Sequence, residues 1–502
     1  MSKFGFCGGS YTSQAVNADA QMCMNLMPEK VESGAGKSDL ILVNTPGKKL
    51  FATLPDTPCR EGGQVEINGR HFVVSGATLY EVFSDGSNAK RGTVGNDGNP
   101  VSLAASLTEL MVASAGNGYC MELASNAITG PIANIAGVTQ VGYSDGFFVA
   151  LVNNALMVSG PLDGTIWDPS QKAIVSVFPG KIVSLIVDHR EVCLLGNRQS
   201  VCYYDSGNQF PYDVVPQGFM EMGSAAQFAA AKIDNTYFWI GQDERGAGIA
   251  WRAQGYTPVR ISTHAIEAEW AGYSTIVDAT AYVYQDGGHT FYVVRFPTAD
   301  KTWVYDVATG FWHQRGFWSA GVYKSDRACS HAYVFGKHLI GDPLSGNIYQ
   351  MAMPKPDGAG AYLFADDFGN PKRWLRRSPY ISSAADWLFF KKLRFDIEVG
   401  LGPIPALQDG SGKNRDPQVM LRWSDTSTKT WSDERVINCG QAGNYKVRVF
   451  QTRMGRADGT IGRVFELSGS DPIPWRITDA DVEASPDYPQ TQRLATRLRQ
   501  QA

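Results

Sequence analysis

No pair of cysteines in this chain has CxxC spacing, and the eight present (7, 23, 59, 120, 193, 202, 329 and 439) follow no metal-ligand pattern. That excludes zinc-ribbon and thioredoxin-type readings. Buried free thiols are expected instead of a disulfide framework, in keeping with folding in a reducing cytoplasm. Also missing is a basic start followed by an apolar stretch, so no secretory signal is expected. Long apolar runs are lacking too. Phe147–Val152 is among the longest, whereas a bilayer needs about 20 residues, so no permanent membrane insertion is expected. Nor does charge of one sign dominate: 45 Lys+Arg stand against 49 Asp+Glu, a net charge of −4. A protein that grips DNA through a generally basic surface would differ in that respect.

What is abundant points one way. The chain has 53 glycines, 12 tryptophans and 21 tyrosines. Glycine supplies the positive-φ turns that many short strands require, and aromatic side chains suit pleated surfaces, so an all-β protein is expected. A length of 502 residues implies two or three domains. Charge divides unevenly between them. Residues 371–502 hold 21 Lys+Arg against 15 Asp+Glu, and the remainder holds 24 against 34.

A weak repeat runs through the first 350 residues. Its members begin with Gly69-Arg70-His71-Phe72-Val73-Val74 and Thr108-Glu109-Leu110-Met111-Val112, and they end with Gly336-Lys337-His338-Leu339-Ile340. Between these lie corresponding runs starting at positions 145, 189, 235 and 288, so the steps are 39, 37, 44, 46, 53 and 48 residues. Second strands such as Leu79-Tyr80-Glu81-Val82 and Trp303-Val304-Tyr305-Asp306 follow after a turn. This is the length of a four-stranded propeller blade. One small twisted sheet cannot bury both faces, but stacking the sheets around an axis does so. A β-propeller of six or seven blades is therefore predicted over 61–355.

Outside the repeat, residues 1–60 read as an extended N-terminal arm able to reach a neighbour. Residues 356–379, with Pro356, Gly358, Gly360, Pro371 and Pro379, read as a connector. Strand-like runs at 393–399, 419–423, 445–450, 463–467 and 475–478 predict a compact β-sandwich over 380–483. The tail 484–502 includes a possible short helix at 494–499.

Individual motifs have bland explanations. Ser33-Gly34-Ala35-Gly36-Lys37-Ser38 superficially resembles a phosphate loop, but Val31 occupies the position of the required glycine and the following run 40–43 reads as strand. Ser424-Asp425-Thr426-Ser427-Thr428-Lys429-Thr430-Trp431 resembles the Asp-box hairpin of sialidase propellers without its glycine, and it occurs once. The seven histidines lie mostly in or beside the repeated strands. No catalytic, cofactor-binding or metal-binding residue is nominated, and no cofactor is expected. The sharpest basic cluster is Arg373, Trp374, Arg376 and Arg377, followed by Lys391, Lys392 and Arg394. Arg and Trp are anchors of protein interfaces, so these residues are interface candidates, together with Asn25 and Met27 of the arm.

The order of several segments resembles the tail-hub, or nozzle, proteins of short-tailed bacteriophages, the packaged-DNA stabilisation family. They are Asn25-Leu26-Met27-Pro28-Glu29 with Thr45-Pro46-Gly47, Asp163-Gly164-Thr165-Ile166-Trp167-Asp168, Val187-Asp188-His189-Arg190-Glu191, Ile261-Ser262-Thr263-His264-Ala265-Ile266-Glu267, Trp303-Val304-Tyr305-Asp306, Arg422-Trp423-Ser424-Asp425 and Arg463-Val464-Phe465-Glu466-Leu467-Ser468. The resemblance implies a non-enzymatic ring of six copies in the virion tail, assembled in the host bacterial cytoplasm below the portal and its adaptor. It further implies contact with a tail fibre, spike or plug protein, and DNA passing through the lumen without sequence-specific binding. A carbohydrate-binding or sialidase-like propeller, or a host-surface adhesin, is the alternative.

Overall fold

The computed structural model describes residues 2–174, 180–243, 245–383 and 387–486. The possible helix at 494–499 lies outside them. The chain forms two compact units, one from 48–310 and 324–352, the other from 1–47, 311–323 and 353 onward. Both are built of strands. Among the described residues a single α-helix occurs, His264–Ala271, capped by Thr263, whose hydroxyl accepts from the Ile266 amide at 3.4 Å. No helix among them is long and apolar enough to cross a membrane.

The first unit is the propeller. It holds six four-stranded antiparallel sheets and a three-strand meander (Thr280–Asp286, His289–Phe296, Lys301–Asp306), seven repeats in all. The innermost strands adjoin in chain order, and the last, Ser330–Val334, adjoins the first, Cys59–Ile67, which closes the ring. Local chemistry sets each first turn. Asn68-Gly69, Asp145-Gly146, Asp234-Asn235 and Gly287-Gly288 all have positive φ at both residues, the mirror-type hairpin turn whose twist matches the strands it joins. Each core lies between neighbouring sheets. Phe72, Val74 and Leu79 of the first sheet pack on Leu110, Val112 and Met121 of the second, so the facing apolar sides of these two sheets are covered. The outermost strand of the last sheet, Gly47–Thr53, comes from the other end of the unit's sequence. It fastens the ring, with the Leu54 amide donating to the Gly346 carbonyl at 2.8 Å and the Cys59 amide to the Ser345 carbonyl at 2.9 Å.

The second unit is a β-sandwich. One sheet runs Leu26–Lys30, Leu40–Asn44, Arg476–Pro486, Trp387–Ile397 and Val449–Thr452; the other includes Ala20–Met24, Trp374–Arg377, Val464–Gly469, Gln418–Ser424 and Arg435–Asn438. Leu42, Phe390, Leu393 and Ile477 of the first sheet meet Trp374, Val419, Phe465 and Leu467 of the second in one core.

Five expectations differ from the structure. The propeller expected over 61–355 lacks 311–323 and 353–355, which belong to the sandwich unit, where Gln314 pairs with Met24. Residues 1–47 are not a free arm, because their apolar positions supply strands to both layers of the sandwich, and residues 48–60 belong to the propeller. The connector at 356–379 ends in the buried strand Trp374–Arg377. Within 445–450 only the end is strand, in Val449–Thr452; Gly440 and Gly443, both left-handed, hold the preceding stretch in turns, and Tyr445 is exposed. Not all cysteines are free: Cys193 and Cys202 face each other across two strands as a disulfide. The loop at 33–38 is a hairpin connection into the strand Leu40–Asn44, as its sequence suggests.

Candidate functional surfaces

The interface candidates divide sharply once placed. Asn25 stands where the chain leaves the strand Ala20–Met24 in one sheet and enters Leu26–Lys30 in the other. Its φ is 55°, a left-handed conformation that Asn tolerates. Its side-chain amide donates to the Gly316 carbonyl at 2.8 Å and the Arg373 carbonyl at 2.7 Å, and its Oδ1 accepts from the Gly316 amide at 2.9 Å. Met27 is buried in the next strand. Trp374 is buried against Trp475, ring centroids 5.2 Å apart.

Arg376 is wholly buried, and its hydrogen bonds go to main-chain carbonyls and an amide oxygen. Its guanidinium donates to the carbonyls of Phe6 (2.6 Å), Gly9 (2.8 Å) and Met22 (3.4 Å) and to Gln21 Oε1 (2.5 Å). Burial lowers its pKa from the ordinary arginine value. These four candidates are therefore internal staples of the sandwich, and the interface expectation is corrected for them. The reason is geometric: the amino-terminal strands that they hold are distant in sequence, so the sequence alone makes the cluster look unpaired.

Arg373 and Arg377 are largely spent as well. Arg373 lies 4.5 Å over the Trp318 ring and 3.2 Å from Glu434. Arg377 and Arg422 share Glu466 and enclose the Trp431 ring, at 5.0 and 4.7 Å. Lys391 and Lys392 remain at the surface. Lys391 makes a long 3.9 Å pair with Glu483, and Lys392 lies over Phe450 at 4.5 Å. The Ser424–Trp431 hairpin manages without its glycine because Ser427 and Thr428 themselves adopt left-handed φ, 50° and 65°. Hydroxyls hold them there, with Ser424 Oγ accepting from the Thr428 amide at 3.0 Å and Thr426 Oγ1 from the Thr430 amide at 2.9 Å.

In the propeller, a cavity of about 600 Å³ opens at one mouth of the ring, lined by Arg60, Glu61, Asp97, Asn99 and Asp278 among others. Arg60 and Glu61 are paired with charges of opposite sign, and Asp278 accepts from the Thr298 amide at 2.7 Å. Arg60 donates to Asp97 at 3.0 Å and to the Asn99 carbonyl, and Arg295 pairs with Glu61, whose pKa burial raises. At this mouth the linker before the fifth sheet crosses between the inner strands. The Gln227 carbonyl accepts from Gln140 Nε2 at 2.9 Å and Ser184 Oγ at 2.8 Å, while Phe228 bridges to Thr280. The linker is thus bonded to the third, fourth and sixth repeats.

The histidines are structural in setting. Burial pushes His71 down to about 3, and its Nε2 lies 2.9 Å from Gln64 Oε1. His331 is likewise pushed down to about 3, by burial first and then by His338, whose ring nitrogen is 3.0 Å away. His289 is bound to Asp306 at 2.8 Å, and that carboxylate also accepts from Thr309 Oγ1 at 2.7 Å and shapes the turn.

Comparison with known proteins agrees with this architecture. Residues 3–354 match the family model described as bacteriophage P22 Gp10, beta-propeller, and residues 373–485 match that described as bacteriophage P22 Gp10, beta-sandwich. No curated protein matches the chain. Among solved structures, it is similar to the extracellular domain of the putative one component system BT4673 from B. thetaiotaomicron, at 10% identity and a TM-score of 0.42. That match covers 80% of this chain and 48% of the other, so the chain spans about half of that protein's length. PorZ, a surface component of the type-IX secretion system of Porphyromonas gingivalis, matches at 10% identity and TM-score 0.38, covering 69% and 44%. The N-terminal domain of Nup159 matches at 10% identity and TM-score 0.38, covering 66% and 98%.

Proposed function

The chain belongs to the bacteriophage P22 Gp10 family of phage stabilisation proteins, and from that membership we propose that it is a structural, non-enzymatic subunit of a short virion tail. In this reading copies assemble into a ring, with six expected, below the portal and its adaptor. The ring retains the packaged genome and later conducts it. The family match over both units is the observation that carries the proposal.

Three features of the molecule support it. Its buried arginines and histidines are engaged in holding strands together, as suits building material. The Gln227–Phe228 linker bonds to three repeats at one mouth of the ring, which favours a DNA path formed between copies. A closed ring needs two different complementary surfaces on each copy, and the uneven charge of 1–370 and 371–502 offers a basis for them. An acidic or neutral lumen lets a polyanion pass, whereas rows of Lys and Arg would hold it through phosphate contacts. The lumen is accordingly expected to be poor in basic side chains, and a map with Arg and Lys rows facing the axis would reject that part. The whole proposal is tested with a nonsense allele of the gene in its phage. Heads made without the chain should package DNA but leave it exposed to added nuclease. A normal yield of nuclease-resistant, infectious particles would overturn the assignment.

A further inference from the structure

In the fourth propeller sheet Cys193, on strand Glu191–Gly196, stands opposite Cys202, on strand Ser200–Asp205, with Cα atoms 4.0 Å apart. Side chains two residues apart on a strand share a face, so Glu191 projects beside Cys193. The Glu191 carboxylate and the two sulfurs all lie within 4.8 Å of one another. They border a pocket of about 250 Å³ whose other walls include Asp188, His189 and Tyr256. The Tyr256 hydroxyl donates to Glu191 Oε1 at 2.6 Å, which fixes the carboxylate from behind. An outer-shell hydrogen bond of this kind orients a metal ligand.

We propose that, when the disulfide is opened, Glu191, Cys193 and Cys202 form a Zn²⁺ site whose fourth position faces the pocket. Two sulfurs and one carboxylate suit a borderline-soft tetrahedral ion, whereas Mg²⁺ and Ca²⁺ require oxygen ligands. The electron balance is simple. A dithiol reductant supplies two electrons and two protons to the Cys193–Cys202 bond and leaves as its own disulfide. Zn²⁺ then displaces both thiol protons and forms two Zn–S bonds. Metal and disulfide exclude each other, because bonded sulfurs offer no thiolate. The same hairpin is then cross-linked in either redox state, by zinc in a reducing compartment and by the disulfide in an oxidising one.

The test uses the full chain, reduced with dithiothreitol, desalted without air and titrated with Co²⁺ while the sulfur-to-cobalt charge-transfer band is followed, with Zn²⁺ as competitor. One equivalent of Co²⁺ should bind and be displaced by Zn²⁺; the oxidised chain and Cys202→Ser should lack that equivalent. Glu191→Gln keeps both sulfurs and should weaken binding tenfold or more. Equal binding by reduced wild type and Cys202→Ser would overturn the site, since the metal would then sit on other thiols. Should Cys202→Ser fail to fold by far-ultraviolet circular dichroism, Glu191→Gln decides alone: wild-type affinity in that variant overturns the proposal.

Discussion

Single side chains carry much of the sandwich's specificity, and Arg376 most of all. Its fork closes three main-chain carbonyls and the Gln21 amide oxygen in a fully buried space. Arg376→Met keeps the volume but leaves those acceptors unpaired, and each costs about 1–3 kcal/mol when buried. A loss of roughly 3 kcal/mol or more is expected in denaturant unfolding, and Arg376→Lys should rescue little because a single ammonium cannot match the planar fork. A variant within about 0.5 kcal/mol of wild type would show that the staple is dispensable. His71 gives a pH dependence. Its pKa is about 3 when folded, against about 6.5 in an unfolded chain, so between these values the unfolded state binds the extra proton. Stability is therefore full above about pH 6.5 and falls with acidification, by at most about 1.4 kcal/mol per pH unit for this group, until about pH 3. His331 acts in the same direction. Unfolding midpoints measured from pH 7 to 4 should fall more steeply in wild type than in His71→Gln; parallel curves would contradict this.

Among elements, visibility in the sequence followed burial. The second and third strands of each blade lie between neighbours on both faces, so they read as apolar runs: Arg70–Ser75 and Thr78–Val82 are buried along nearly all their length. Outer strands such as Asn88–Thr93 and Thr257–Arg260 face water, carry polar residues and left no pattern to find. The seven starting points of the repeat accordingly mark the blades, while their edges stayed hidden. The role of 1–47 was hidden for another reason, since strand partners more than 300 residues away leave no local trace. The Arg373–Arg377 run was recognised as an anchor cluster, but its partners lie within the same chain. The Cys193–Cys202 contact has separation nine, unremarkable until register brings the two opposite each other. Closure of the ring gives this scale its prediction. A Cβ on Gly346 would stand 2.4 Å from the Leu54 carbonyl and 2.5 Å from that of Asp56, both backbone. Gly346→Ala should therefore loosen the fastening strand, with amide exchange rising first at 48–54 and an overall loss of about 1–3 kcal/mol. Unchanged protection there would mean that the strand is not what closes the ring.

For the whole molecule, the proposed role is that of building material whose working opening forms between copies. The propeller supplies a closed ring of repeats, three of which are joined by the Gln227–Phe228 linker. The sandwich supplies a second body in which both chain ends of the sheet network are stitched together. Neither unit needs a substrate for its organisation to make sense, and the family match spans both. The most direct measurement is cryo-electron microscopy of tails isolated from the phage that encodes the chain. The account predicts several seven-repeat propellers arranged with rotational symmetry around an open central passage under the portal. Tails in which this chain is missing, or sits only as separate copies at fibre tips away from that passage, would contradict it.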